Sequence, residues 1–375
     1  MRILFIHPRF PYRGKDPFPL GLGYLASAVL DMAEIFVIDE GVEEFSIEGV
    51  REMDPDVIAI TATTPSFQRA EEIVNALNGT GAKIVMGGTH ATFMPGEALN
   101  AGADIVVRGE GEATFREIIE GRALSDIDGV SWTDGTKIVH NPDRGLIEDL
   151  DGIPFPAHSY FPTEKYGIMS IATSRGCPYS CSYCSAARFW RRKVRYRSPE
   201  NVLEELRLIK GLGFDLVRFM DSTFTLDKRR ATHICRLIIE EGLDIKWSCE
   251  TRADALDDEL LKALAESGCT LICIGVDSAC DDVLSENKRN IDALTIRTAF
   301  EKIKRHGLHT RAYITFGLPG ETDKSVEETV KFLDDVRPDQ ILLSLATAYP
   351  GTDLWGGPCI DIHKNWISKF HGHGT

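Results

Sequence analysis

Short apolar runs alternate with amphipathic stretches along the first third of the chain. Residues 2–7, 34–39, 57–61, 83–87 and 105–107 are apolar runs of strand length, and residues 24–30, 66–78 and 113–120 repeat apolar positions at helical spacing. Strands that are apolar on both faces are covered on both faces, so this alternation predicts a doubly wound, Rossmann-like α/β domain. Residues 129–140 then read as a β-hairpin with Asp134 and Gly135 at its turn. The next stretch, residues 141–162, carries Pro142, Pro154, Pro156 and Pro162 and loses helical periodicity, which marks a linker. Beyond it the alternation resumes, with strands over 168–173, 216–220, 246–250, 271–276, 310–316 and 340–346. Helical patterns over 199–210, 228–241, 257–267, 293–306 and 324–335 separate them, and six strands in this order predict a partial, TIM-like (β/α)6 barrel. The expected organisation is a first domain over 1–140, a linker over 141–167, a barrel over 168–350 and a short tail over 351–375.

Composition narrows the class. An apolar content of 43% and a charged content of 26% over 375 residues suit a globular chain of two domains. No apolar run approaches the ~20 residues of a membrane span, and Met1 to His7 does not read as a secretory leader, so a cytoplasmic location is expected. Nine cysteines, an odd number without a disulfide-like framework, suit a reducing compartment where thiols serve as metal ligands or core residues. A net charge of −15 argues against general affinity for nucleic acid or anionic membrane. Residues 188–197, Arg-Phe-Trp-Arg-Arg-Lys-Val-Arg-Tyr-Arg, are the local exception. Basic residues interleaved with aromatics can bind single-stranded RNA. This run, however, lies between three cysteines and a helix that Ser198 caps and Pro199 opens, so closing the cysteine loop or meeting anionic cofactor groups is the expected role.

Those cysteines are Cys177, Cys181 and Cys184, at Cys-x3-Cys-x2-Cys spacing after Gly176 and a strand pattern. Three thiolates leave one corner of a metal centre open to a further ligand. A zinc site completed by a distant His or Cys, or three incidental thiols, are the alternatives that spacing leaves standing. The ends of the following strands carry Asp221, Ser222 and Thr223; Glu250, Thr251 and Arg252; Asp277 and Ser278; and Gly317, Leu318, Pro319, Gly320 and Glu321. In a barrel these groups can line one pocket, although strand ends are also polar simply as loops. Cys280, close behind Asp277, can face that pocket. In the first domain, ligands are expected beyond the carboxyl ends of the strands, near His7, Thr63, Gly87, Gly88, His90, Gly109 and Glu110. Taken singly, Gly87 and Gly88 also suit an ordinary turn, and His90 a core or helix-start histidine.

The stretch from Cys177 to Cys184 resembles the signature of the radical S-adenosylmethionine (SAM) superfamily, with Tyr183 at its aromatic position. The resemblance implies that the three cysteines are the catalytic, metal-binding residues of a 4Fe-4S cluster whose fourth iron chelates SAM. Reductive cleavage then yields a 5'-deoxyadenosyl radical. Pro19 to Ala26, Gly87 to Thr92 and Val107 to Glu112 resemble recurrent blocks of the cobalamin-binding domain fused ahead of such barrels. That implies cobalamin contacts at Leu20, Gly21, Thr63, Gly87, Gly88, His90, Gly109 and Glu110. An Asp-x-His-x-x-Gly motif is absent from this region, Asp361-Ile362-His363 being the only Asp-x-His, so the resemblance implies cobalt without a protein histidine ligand. Gly317-Leu-Pro-Gly-Glu-Thr matches another block of cobalamin-type members. SAM contacts are implied at Tyr183, Asp221, Ser222, Thr223, Arg252, Asp277, Gly317, Pro319 and Gly320, with Asp277 standing where members often carry Glu. The implied function is methylation of an unactivated carbon of a small-molecule or natural-product substrate, with electrons from an external low-potential donor such as flavodoxin or ferredoxin. A ring closure or rearrangement, as in the anaerobic porphyrin-ring cyclases, and a non-catalytic corrinoid or cluster carrier are the alternatives.

Overall fold

A computed structural model describes residues 1–11 and 18–356. They form two compact units, Met1–Ile171 with Glu204–Leu216, and Ala172–Leu203 with the described residues from Val217 onward. Most of the expected tail, with Asp361, Ile362 and His363, lies outside the described residues.

The first unit is organised by strands β1 (Arg2–His7), β2 (Glu34–Asp39), β3 (Val57–Thr61), β4 (Lys83–Gly87), β5 (Ile105–Val107), β6 (Val130–Asp134) and β7 (Lys137–His140). They make one sheet in the order β2-β1-β3-β4-β5-β6-β7. The first five run parallel, and the hairpin adds two antiparallel strands on the β5 edge. Leu4, Ile6, Ile58, Ile60 and Met86 are buried in its core, as continuous apolar strands require. Because the chain steps from β1 out to β2 and returns to β3, a crevice is expected at the carboxyl ends of β1 and β3. The proline-rich stretch is no free linker. The Phe18 ring sits 4.8 Å from His158, 4.7 Å from Phe161 and 5.7 Å from Tyr166, and the Ala157 N–H donates to Gly23 O at 3.0 Å. Its aromatic residues gain more by burial than extended solvation offers.

The later strands are β8 (Met169–Ile171), β9 (Ser174–Arg175), β10 (Arg195–Tyr196), β11 (Leu216–Phe219), β12 (Lys246–Thr251), β13 (Cys269–Asp277), β14 (His309–Phe316) and β15 (Gln340–Leu345). Six of them form a sheet in the order β15-β14-β13-β12-β11-β8, with parallel registers from β12 to β15, while β9 and β10 pair antiparallel by themselves. Along β14, Thr310, Ala312 and Ile314 are buried while Arg311, Tyr313 and Thr315 are only partly so. The buried face meets helices, and Trp247 stacks there on Phe219 with ring centroids 4.6 Å apart. The other face is polar: Arg218 donates to Glu250 Oε1 at 2.6 Å, and the Tyr313 hydroxyl donates to the same oxygen at 3.1 Å.

Candidate active site

The cysteine loop begins where the backbone comes closest to its return strand. Gly176 has φ +113°, and a Cβ there would lie 2.0 Å from the Lys193 carbonyl oxygen, so only glycine fits. The β9–β10 pair closes the base of the loop, with Ser174 opposite Tyr196 and Arg175 opposite Arg195. Cys177, Cys181 and Cys184 are free thiols, each partly exposed. Burial pushes the Cys177 thiol up, and pushes Cys184 up to about 11. Holding Cys177 and Cys184 as thiolates at neutral pH therefore calls for a nearby cation, which an iron would supply. Among the described residues, no three His, Cys, Asp or Glu side chains converge on a single metal ion. Three thiols with one corner left open are the donor set of a cluster in which each thiolate would take its own iron.

Around the loop stands a charged, mostly buried framework. Asp277 Oδ2 accepts from the Tyr183 hydroxyl at 2.7 Å and from Arg289 Nε at 2.6 Å. Asp277 takes this position at the end of β13 in the left-handed region, at φ +63°. Burial first, and then the Asp277 charge, hold the Tyr183 phenol well above its usual range. Arg252 lies 3.8 Å over the Tyr179 ring, grips Asp254 through Nε and Nη2 at 2.9 and 2.8 Å, and donates to the Arg289 carbonyl at 3.0 Å. Asp221, 1% exposed, accepts from the Thr173 N–H at 3.1 Å, the Thr173 hydroxyl at 2.8 Å and the Ser174 hydroxyl. That carboxylate is committed to the approach strand, while Ser222 beside it is exposed. Thr223 donates its hydroxyl to Ser222 O at 2.6 Å. In the block after β14, the Gly317 N–H donates to Glu321 Oε1 at 2.7 Å, Pro319 O accepts from Asn287 Nδ2 at 2.9 Å, and Gly320 turns at φ +79°.

In the first unit the expected cobalamin contacts divide into two groups. Gly88, at φ +98°, leaves no room for a side chain, since a Cβ would meet Ala62 O at 2.6 Å and Ala62 N at 2.9 Å. This packs the turn after β4 against the one after β3, where Thr63 and Ser66 cap each other. Gly87 ends β4, while Gly21, in the helix Leu20–Ser27, and Gly109 at φ +74° have open space where a Cβ would stand. His90 is different. It is 1% exposed, its Nδ1 lies 3.1 Å from Thr64 Oγ1 and its Nε2 3.2 Å from Glu97 Oε2, and its ring stacks on Phe67. Glu110 is 7% exposed and accepts from the Ile147 N–H at 2.8 Å. The strand ends therefore assemble Thr63, Gly87, Gly88 and Gly109, whereas His90 and Glu110 are tied inward.

The chain matches the family model of the radical SAM superfamily over residues 171–333 and that of the B12 binding domain over residues 12–119. An uncharacterized methyltransferase of Pyrococcus horikoshii is 36% identical over 355 residues, which cover 90% of this chain and 77% of that protein. This chain belongs to the B12-binding radical SAM family. A 4Fe-4S cluster, SAM and cobalamin are the cofactors of this family, and the chain carries both domains that bind them. Another relative is the anaerobic magnesium-protoporphyrin IX monomethyl ester cyclase of Rubrivivax gelatinosus, 29% identical over 95% of this chain and 69% of its own. The fold matches that of the radical SAM methyltransferase TsrM of Kitasatospora setae, solved with tryptophan substrate and a SAM analogue, at a TM-score of 0.82 and 20% identity, covering 94% of this chain and 74% of that one.

For a radical SAM chain, several residues around the loop carried no sequence signal. Arg289, Asn287 and Asp353 come from irregular segments whose local pattern says nothing about what they meet. The basic run was visible, and part of it is structural: Arg195 and Arg197 are each 4% exposed, Arg195 lies 5.3 Å over Trp190, and Arg197 donates to the Ala172 carbonyl at 2.9 Å. No described helix is long and apolar enough to cross a membrane.

Proposed function

We infer that this chain is a cobalamin-dependent radical SAM methyltransferase acting on an unactivated carbon of a small molecule, with Cys177, Cys181 and Cys184 as the cluster ligands. The observation that carries this reading is the three-thiol loop set at a strand end against the Tyr183–Asp277–Arg289 framework. When bound, the cluster supplies the electron that cleaves SAM, and cobalamin supplies the methyl group. The protein's own residues hold and shield. Tyr183 and Arg289 fix Asp277 through Oδ2 and leave Oδ1, whose donor among the described residues is Thr315 at a long 3.4 Å, to meet a ligand hydroxyl. Ser222 and the backbone near Thr223 offer polar groups to the SAM amine, Arg252 sets the Tyr179 face of the loop, and Gly317, Pro319 and Gly320 form a wall without bulky side chains. In the first unit, Leu20, Gly21, Thr63, Gly87, Gly88 and Gly109 border the corrinoid. His90 and Glu110 support that border from within. An external low-potential donor, such as a flavodoxin or ferredoxin, delivers the electrons.

Product analysis of the anaerobically reconstituted protein with SAM, a strong reductant and candidate small-molecule acceptors tests this reading. S-adenosylhomocysteine formed together with 5'-deoxyadenosine supports methyl transfer. Deoxyadenosine alone, with a changed acceptor, would assign the ring-closure chemistry of the cyclase relative instead. Cluster uptake without any SAM cleavage would leave a carrier and overturn the enzymatic reading.

A further inference from the structure

One residue of the cysteine loop has every polar group engaged by distant segments. Ser182 stands between Cys181 and Tyr183 and is 6% exposed. Its N–H donates to the Asn287 carbonyl at 3.2 Å and its hydroxyl to Asn287 Oδ1 at 2.7 Å. Its carbonyl accepts from the Asp353 N–H at 2.8 Å. Asn287 is itself fixed, since its Nδ2 donates to Val283 O at 2.8 Å and to Pro319 O at 2.9 Å. Asp353 reaches the loop from the turn that follows β15. That turn is shaped by Thr352, 2% exposed, whose hydroxyl donates to Tyr349 O at 2.7 Å. The Asp353 carboxylate then joins two cations that flank the loop, accepting from Arg188 at 2.7 Å through Oδ1 and from Lys288 at 2.7 Å through Oδ2.

We propose that Asp353 is a positioning residue for the cluster, the tip of a latch that holds the Cys181–Cys184 half of the loop in place. The proposal rests on the reading that these cysteines hold a cluster. Arg188 lies four residues beyond Cys184 and Lys288 lies next to Asn287, so one carboxylate ties the two segments that frame Ser182. Asn287 alone leaves the Ser182 carbonyl side unheld, and a peptide free to rotate there would move both neighbouring thiols. Exposure of 59% for Arg188, 55% for Lys288 and 36% for Asp353 keeps each ion pair weak for global stability. Their action is local: they decide how often the turn leaves the loop, and the Asp353 N–H leaves with it.

The test compares the full-length wild type with D353A, D353N and D353E, each metal-free and reconstituted under anaerobic conditions. In D353A, amide hydrogen exchange over residues 182–189 should rise roughly threefold to tenfold, the range expected for losing two exposed ion pairs. The thermal midpoint and exchange elsewhere should be unchanged. Chelator-driven iron loss should accelerate by a similar factor, and the EPR signal of the reduced cluster should change shape in D353A and D353N but return toward wild type in D353E. Unchanged exchange in this loop, or acceleration spread over the whole chain, would overturn the latch. Failure of wild type to take up iron would overturn the cysteine reading instead, and exchange in the metal-free chain would still decide the latch.

Discussion

Asp277, proposed above to meet a ligand hydroxyl, is first of all a structural residue. It and Arg289 are largely buried, with side-chain exposures of 11% and 7%, and they meet at 2.6 Å. Removing one partner of such a pair strands the other charge, so D277A is expected to lower unfolding free energy by about 3–5 kcal/mol. Y183F deletes one hydrogen bond to the same carboxylate and is expected to lose about 1.5–3 kcal/mol. Urea denaturation of the metal-free variants should rank them in that order, and the reverse ranking would mean that Asp277 is not the hub of this framework. Gly176 sets a sharper test, because its missing Cβ would collide with backbone and not with a side chain that can swing away. G176A should lose most of its iron, while G21A, whose Cβ enters open space, should retain it. The cysteines and Asp277 could be singled out in the sequence because a motif or a strand end marks them. Arg289, Asn287 and Asp353 could not, because their partners lie far away along the chain and no local period encodes a tertiary contact.

At the level of elements, long periodic segments were legible and short ones were not. The helix Lys228–Glu241 appears over the residues that the pattern predicts, and the strand cores of β1 to β5 do as well. The helices Ile47–Met53, Thr89–Phe93 and Asp281–Glu286 were missed, since two turns or fewer cannot display a 3.6-residue period. The first helix was expected over 24–30 and instead spans Leu20–Ser27, with Pro19 as its N-cap accepting from the Gly23 N–H at 3.1 Å. Junctions between elements carry their own chemistry. Asp339, just ahead of β15, accepts from the Thr310 N–H at 2.7 Å and the Thr310 hydroxyl at 3.0 Å, and it pairs with His309 at 3.0 Å. Burial would raise its pKa, but the His309 and Thr310 hydrogen bonds outweigh that and hold it near 2. A carboxyl depressed by folding stabilises the fold above its unfolded pKa of ~3.9, and that contribution fades as pH falls toward the folded value. The stability gap between wild type and D339N should therefore shrink as pH falls from 4 to 2. A gap independent of pH across that window would show that the carboxylate charge is not what joins β14 to β15.

On the scale of the whole molecule, two sheets with separate cores carry two kinds of cofactor chemistry. Alternation of strand and helix made both sheets legible, since each apolar run must be covered whichever domain it belongs to. What the sequence concealed was the fate of residues 141–162, where prolines suggested a linker and aromatic side chains instead pack into the first unit. Separate cores give a prediction about loading. The cysteines lie in the second unit, and the proposed corrinoid border, from Leu20 to Gly109, lies in the first. Replacing Cys177, Cys181 and Cys184 together by Ala removes every thiolate of the loop without touching the first sheet, so this variant should lose its iron and keep its corrinoid. G88V should do the opposite, because its side chain would drive the turn after β4 away from Ala62, with no consequence for the cysteine loop. Iron and extracted corrinoid, measured in the same anaerobic preparations, give a two-by-two outcome. If the cysteine variant lost its corrinoid as well, corrinoid binding would depend on the cluster loop, and the first sheet would not be a self-sufficient binding domain.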